Sequence, residues 1–132
     1  MEFFASTETG DHDVSAHARK IGEDVLVAIW GGDKPHIGAV AAAQPRPSLD
    51  DRTRTSASTS VICFVGHKED DLAKHAAQTL ASALKVRVVV TAGIHWDNIT
   101  PDGIKSVRCN CKSVIAKVAD LLSGAPERPE TA

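Results

Sequence analysis

Two short apolar runs constrain this chain most, because each ends in glycine and histidine and they enclose a helical segment. The first is Val61-Ile-Cys-Phe-Val-Gly-His67, and the second is Val88-Val-Val-Thr-Ala-Gly-Ile-His95. Runs rich in Val and Ile and bounded by Gly are typical of buried strands. Residues 69–84 between them repeat apolar side chains at helical spacing. The pattern predicts a strand-helix-strand unit whose two strands are parallel and joined by a right-handed crossover.

The rest of the chain supplies further strands and one more helix. Three predicted strands precede the unit, at residues 13–20, 25–30 and 36–43. Their short connections indicate an antiparallel meander. Residues 44–58, rich in Pro, Asp, Ser and Thr, predict a surface loop. The last helix begins at Thr100-Pro101, a capping residue followed by a first-turn proline, and stops at Gly124.

This element order, β-β-β-β-α-β-α, predicts an α/β chain folded as an α+β two-layer sandwich. We expect a mixed five-stranded sheet, with the fourth and fifth strands at 60–65 and 86–91, and both helices on one face. Residues 12–124 should form a single domain. A flexible arm at residues 1–11 and a disordered tail at residues 125–132 should flank it.

Composition excludes several classes of function. The 132 residues carry a formal net charge of −2, with Lys and Arg scattered, so no basic field for nucleic acid is present. No apolar run is long enough to cross a membrane. Three Cys residues at irregular spacing do not form a disulfide framework, which favours a cytoplasmic protein.

One sheet face should need a partner. Residues 25–30 and 88–90 are apolar on both sides of their strands. With both helices on a single face, the opposite side of these strands would be left in water. The sequence therefore predicts a homo-oligomer, or docking on another protein, through the sheet face away from the helices.

Three histidines next to glycine mark the candidate site. His67 and His95 follow parallel strands, whose carboxyl ends share one sheet edge, and an antiparallel third strand would bring His36 to the same edge. Both helices begin there and offer free backbone amides to an anion. We therefore expect a pocket for phosphate or carboxylate formed by His36, Gly38, Gly66, His67, Lys68, Gly93, His95, Asp97, Asn98 and Thr100.

Alternatives remain for these residues. A histidine in a turn is often only a hydrogen-bonding loop residue. A metal held by His36, His67 and His95 is chemically possible, although their separations match no familiar ligand spacing. Residues 69–71, Glu-Asp-Asp, are typical of a helix start. No nucleophile elbow, P-loop or GxGxxG motif is present, so we assign no catalytic residue.

Three motifs in order resemble those of the LpdD-like domain family, described as prenylated-flavin chaperones. They are Gly-Gly-x-x-Pro-His-Ile-Gly-Ala-Val (31–40), Gly-His-Lys-Glu-Asp (66–70) and Ala-Gly-Ile-His-x-Asp-Asn-Ile-Thr (92–100). Trp96 and the loop at 44–58 depart from the family pattern. The resemblance implies a non-enzymatic accessory protein that binds prenylated flavin mononucleotide or delivers it to a UbiD-type decarboxylase. The alternative is a small metal- or histidine-dependent enzyme acting on a phosphorylated or carboxylated metabolite.

Overall fold

The computed structural model describes residues 1–64, 66 and 69–124. Within them the chain forms six strands and two helices, which follow one another as β1 (Glu2–Ser6), β2 (Val14–Ile21), β3 (Asp24–Gly32), β4 (Ala39–Pro47), β5 (Thr55–Cys63), α1 (Asp70–Leu84), β6 (Val88–His95) and α2 (Pro101–Leu122). The predicted two-layer α+β class and the mixed sheet are confirmed, but the sheet has six strands rather than five.

Alternation along the strands separates the two faces of the sheet. Val25, Val27 and Ile29 of β3 are at most 4% exposed, and Val88 and Val90 of β6 lie beside them in register. These side chains form the core under the helices. We call the opposite side the open face, since it carries no helix.

Both helices pack on the core face, as the sequence predicts. α1 contacts β4, β5 and β6, and α2 contacts β1, β2 and α1. The buried side of α1 is mostly alanine, which lets its backbone come close to the sheet; it consists of Ala73, Ala76, Ala77, Leu80 and Ala81. Neither helix, within the ranges described, is long and apolar enough to cross a membrane.

The sheet order is β1-β2-β3-β6-β4-β5, which corrects the predicted meander. β2 and β3 form the expected antiparallel hairpin, but β6 lies between β3 and β4. β5 and β6 run in the same direction, as predicted, with antiparallel β4 between them. The short connection from β3 to β4 predicts that these two strands are neighbours in the sheet. No local pattern in the sequence shows that a later strand, β6, inserts between them.

The inserted strand forces the loop at residues 33–38 to cross β6 near its end. The Gly38 amide donates to the Ala92 carbonyl at 2.9 Å, which starts the β4 ladder. A Cβ placed on Gly93 would lie 1.6 Å from the carbonyl oxygen of His36. Gly93 is therefore required because the crossing chain occupies the space of a side chain.

Three segment predictions were wrong. The third predicted strand starts at Ala39 instead of residue 36, because the crossing loop occupies residues 33–38. The predicted loop at 44–58 is mostly a β4–β5 hairpin, which leaves residues 48–54 outside strands. Part of the predicted flexible arm is strand β1, since Phe3 and Ala5 alternate toward the core and pair with β2. The predicted tail at 125–132 lies outside the described residues.

We predict that Gly93→Ala destabilises the fold by about 3 kcal/mol, because the new methyl group overlaps backbone rather than a movable side chain. Gly22→Ala is the control: its added Cβ meets nothing within 4 Å, and its φ of +62° should cost only about 1 kcal/mol. Urea unfolding of both variants measures the difference. Equal losses would show that the crossing loop yields easily.

Candidate functional site

The carboxyl end of β6 forms one edge of the sheet with the start of β4 and the starts of both helices. β3 also ends here, at Gly32, opposite His95 of β6. Ala39 at the start of β4 lies opposite Ala92. The topology therefore collects the two predicted histidines that the structure describes, His36 and His95, at the edge where ligands bind in many open sheets.

His36 is held beside Glu69, the residue that precedes α1. Its Nδ1 donates to the Lys34 carbonyl at 2.8 Å, and its Nε2 lies 2.8 Å from Glu69 Oε1. The Glu69 side chain is only 9% exposed. Because a carbonyl oxygen only accepts, Nδ1 carries the proton of the contact with Lys34. The pair is thus a partly buried imidazole next to a nearly buried carboxylate.

His95 has a different carboxylate partner. Its Nε2 donates to Asp97 Oδ1 at 2.9 Å, and Lys34 Nζ lies 3.4 Å from the same oxygen. The hydrogen bond from His95 and then the Lys34 ammonium hold the pKa of Asp97 below its usual value of 3.8. Asp33 accepts from the Asp97 amide at 2.9 Å and fixes the turn. Both side chains of the His95–Asp97 pair are about half exposed.

The histidines therefore lie at one edge but in two separate carboxylate pairs. The sequence predicts a single pocket of three imidazoles, and the structure assigns Glu69 to one described histidine and Asp97 to the other. His67 and Lys68 lie outside the described residues. Their place in the predicted pocket stays a prediction.

The other predicted residues are placed at the same edge, with local structural roles. Thr100 caps α2 by accepting from the Gly103 amide at 3.0 Å, as the sequence predicts for this helix start. Asn98 adopts a positive φ of 54° in the turn before the helix. A Cβ on Gly38 would lie 2.2 Å from Glu69 Oε2, so this glycine makes room for the buried carboxylate. Gly66 also has a positive φ, of 83°.

Three features of the edge escaped the sequence reasoning. The sequence predicts Glu69 as one of three helix-start acids, whereas in the structure Glu69 is buried and Asp70 and Asp71 are exposed. Ile37 and Phe64 are exposed close to the His36–Glu69 pair along the chain: Ile37 follows His36, and the Phe64 amide donates to the Gly38 carbonyl at 2.9 Å. The signal for both is an apolar residue within two positions of a glycine-histidine motif.

Trp96 lies just after β6, between the end of this strand and the loop that precedes β2. Its Nε1 donates to the Asp11 carbonyl at 3.1 Å, and its ring meets His12 edge-on at 5.7 Å between centroids. A Cβ on Gly31 would lie 3.2 Å from the indole. Trp96 thereby links the loop before β2 to the end of β6.

The charges at the edge only partly suit an anionic ligand. Glu69 at the start of α1 makes no side-chain cap hydrogen bond to the helix amides, so those amides can face a ligand. Asp70 and Asp71 in the first turn oppose an approaching phosphate. Lys34 and the two histidines supply positive charge when protonated. The donor set fits a phosphate only while the Glu69 charge is balanced by His36.

Metal binding is not supported by the described residues. Among residues 1–64, 66 and 69–124, no three His, Cys, Asp or Glu side chains are grouped to hold an ion. Cys111 is buried, which raises the pKa of its thiol to about 11, whereas Cys109 is exposed. A site that includes His67 lies beyond this test.

The amino-acid sequence matches, over residues 8–123, the family described as "Prenylated flavin chaperone LpdD-like domain". It is 27% identical over 136 aligned residues to Protein LpdD of Lactiplantibacillus plantarum, covering 95% of this chain and 90% of that protein. A solved structure with a similar fold is titled "Crystal Structure of a Novel Chaperone Complex for Yeast 20S Proteasome Assembly". Its TM-score is 0.54 at 18% identity, with 93% of this chain and 94% of that chain covered. This structural likeness shows the fold alone.

We predict that His95→Ala and Lys34→Ala each raise the pKa of Asp97 toward 3.8, because the hydrogen bond from His95 and then the hydrogen bond and charge of Lys34 depress it. The lowered pKa stabilises the fold above pH 3.8, and this contribution disappears as pH falls through the folded value. Carboxyl NMR titration of the parent and both variants measures the shifts. An unchanged Asp97 pKa in either variant would contradict the contacts of this carboxylate.

Proposed function

Because this chain belongs to the prenylated flavin chaperone LpdD-like domain family, as its three motifs predict, we propose that it binds prenylated flavin mononucleotide and delivers it to a decarboxylase. The protein is a carrier in this proposal, and the decarboxylation chemistry belongs to its partner. The curated relative, Protein LpdD, supports the family over nearly the whole chain.

The observation that carries the proposal is the His36–Glu69 pair together with exposed Ile37, which follows His36, and exposed Phe64, whose amide bonds to the Gly38 carbonyl. Ile37 and Phe64 are 59% and 51% exposed, so both side chains are open to a ligand. A prenylated flavin needs both kinds of surface, because it joins an apolar ring system to a phosphate. The edge offers apolar contact and an imidazole–carboxylate pair within a few residues of each other.

The residues that would hold the ligand follow from this division. Ile37 and Phe64 would contact the flavin rings. The start of α1 would face the phosphate, with His36 balancing the Glu69 charge there and with Lys34 and His95 adding positive charge beside it. The bound group supplies the redox and adduct chemistry of a modified flavin once it reaches its enzyme. The open, half-exposed edge suits a carrier, since it must release the ligand as well as bind it.

A UbiD-type decarboxylase is the proposed recipient, and the protein is proposed to act in the cytoplasm as a homo-oligomer. Delivery requires the donor to place its ligand edge against the recipient. The exposed side chains of Ile37 and Phe64 could serve both purposes, first by covering the flavin and then by contacting the decarboxylase. The open face of the sheet remains available to a second copy.

A small histidine-dependent enzyme is the second candidate, and one observation favours it. The His95–Asp97 hydrogen bond of 2.9 Å fixes the imidazole and leaves the lone pair of Nδ1 for a substrate proton. Such an arrangement can act as a general base on a phosphorylated or carboxylated metabolite. Family membership favours the carrier.

We predict that His36→Ala weakens binding of prenylated flavin mononucleotide by about 1.5–3 kcal/mol, because the nearly buried Glu69 carboxylate loses its partner and its charge then opposes the phosphate. His75→Ala is the matched control, since His75 is exposed on α1 away from the edge. Fluorescence or calorimetric titrations with the prenylated flavin, unmodified flavin mononucleotide and inorganic phosphate measure the effect. His95→Ala and His67→Ala complete the series.

The outcomes separate the two candidates. If the parent binds none of the three ligands, or if all variants bind equally well, the carrier proposal fails. Activation of an apo decarboxylase by the loaded parent, and its loss with His36→Ala, would support delivery. Turnover of a carboxylated metabolite that His95→Ala abolishes and His36→Ala preserves would favour the enzyme.

A further inference from the structure

We infer that the open face of the sheet is the docking surface for a second copy of this chain. The sequence predicts association through this face, and the structure specifies its residues. Strand register places Leu26 of β3 opposite Val89 of β6, and Val89 opposite Ala42 of β4. Val40 of β4 lies opposite Ile62 of β5. These side chains form a continuous apolar band across four strands.

The side chains of the apolar band are exposed to solvent, whereas those on the core face of the same strands are buried. Leu26 is 39% exposed and Val89 is 37% exposed, whereas their strand neighbours Val27 and Val90 are 1% and 0% exposed. Ile62 is 67% exposed. Single exposed apolar residues need no explanation, but a band that runs across adjacent strands marks an interaction surface.

The size of the face fits a second sheet of the same kind. The sheet has six strands, of which five contain eight or nine residues and β1 contains five. At standard strand spacing and rise the face measures roughly 29 Å by 26 Å, and the shorter β1 reduces its area to about 700 Å². A stable protein dimer buries about 800 Å² on each partner. A copy of the same sheet would therefore cover the whole face, and two sheets pack face to face about 10 Å apart.

Charge balance makes the face compatible with itself. Arg19 lies 3.2 Å from Glu2, and Arg87 lies 3.0 Å from Asp24, so these two pairs of charges are balanced within one copy, while Arg46 donates to Ser58 Oγ at 2.8 Å. Apposing two such faces brings little like-charge repulsion. A strongly charged partner would find no opposite field here, which favours a second copy over a nucleic acid or a highly acidic protein.

The hollows on the open face are compatible with a two-fold contact between two copies of the chain. A hollow of about 400 Å³ lies beside Val89 and is lined by Ile21, Leu26 and Arg87. A second hollow of about 360 Å³, on the other side of Val89, is lined by Ser58 and Ser60 among others. In a two-fold dimer the same patch meets itself, so protruding Ile62 of one copy can enter a hollow of the other.

We predict that Val89→Glu weakens self-association about 100-fold or more, because the dimer would bury an unpaired carboxylate at its centre. Leu49→Glu is the control: Leu49 is 85% exposed and lies in the β4–β5 connection, away from the open face. Sedimentation velocity over a concentration series measures the dissociation constant, and circular dichroism checks the fold. Leu26→Gln is a milder variant if Val89→Glu does not fold.

A monomeric parent at all concentrations overturns the inference. So does a dimer that persists in both open-face variants, or one that Leu49→Glu disrupts equally. These measurements use no flavin, and His36 lies in the loop at the sheet edge. Failure of the dimer and failure of the proposed carrier function are therefore distinguishable.

Discussion

The crossing of residues 33–38 over β6 is the constraint on which the rest of the structure depends. Inserting β6 between β3 and β4 gives the sheet its parallel pair and its two-layer form. The crossing is possible only because Gly93 has no side chain beneath the His36 carbonyl. One glycine thereby fixes both the strand order and the position of the loop that carries His36.

The same crossing builds the candidate site. It places His36 against the start of α1, where Glu69 is buried and Gly38 leaves room for its carboxylate. A carboxylate that is nearly removed from water requires a partner, because its desolvation is costly. The site is therefore an imidazole–carboxylate pair next to exposed apolar side chains. That combination suits an amphiphilic, phosphate-bearing ligand better than a free anion.

The sheet edge and the open face would serve different tasks in the proposed carrier. The edge at the end of β6 gathers polar groups and two helix starts, whereas the open face offers an apolar band without net charge. Self-association through the face would leave the loop at 33–38 at the rim of the assembly. Ligand binding and dimerisation can then proceed without competing for the same side chains.

Local pattern in the sequence determined the two-layer class, both helices, the cap at Thr100 and the gathering of His36 and His95 at one edge. These follow from periodicity and strand direction, which neighbouring residues encode. Tertiary structure alone decided that β6 separates β3 from β4, that residues 44–58 pair as a hairpin, and that Glu69 is the partner of His36. Those features depend on which distant segments of the chain come into contact. The free energy of such contacts is set by tertiary packing, which overrides the preferences of neighbouring residues.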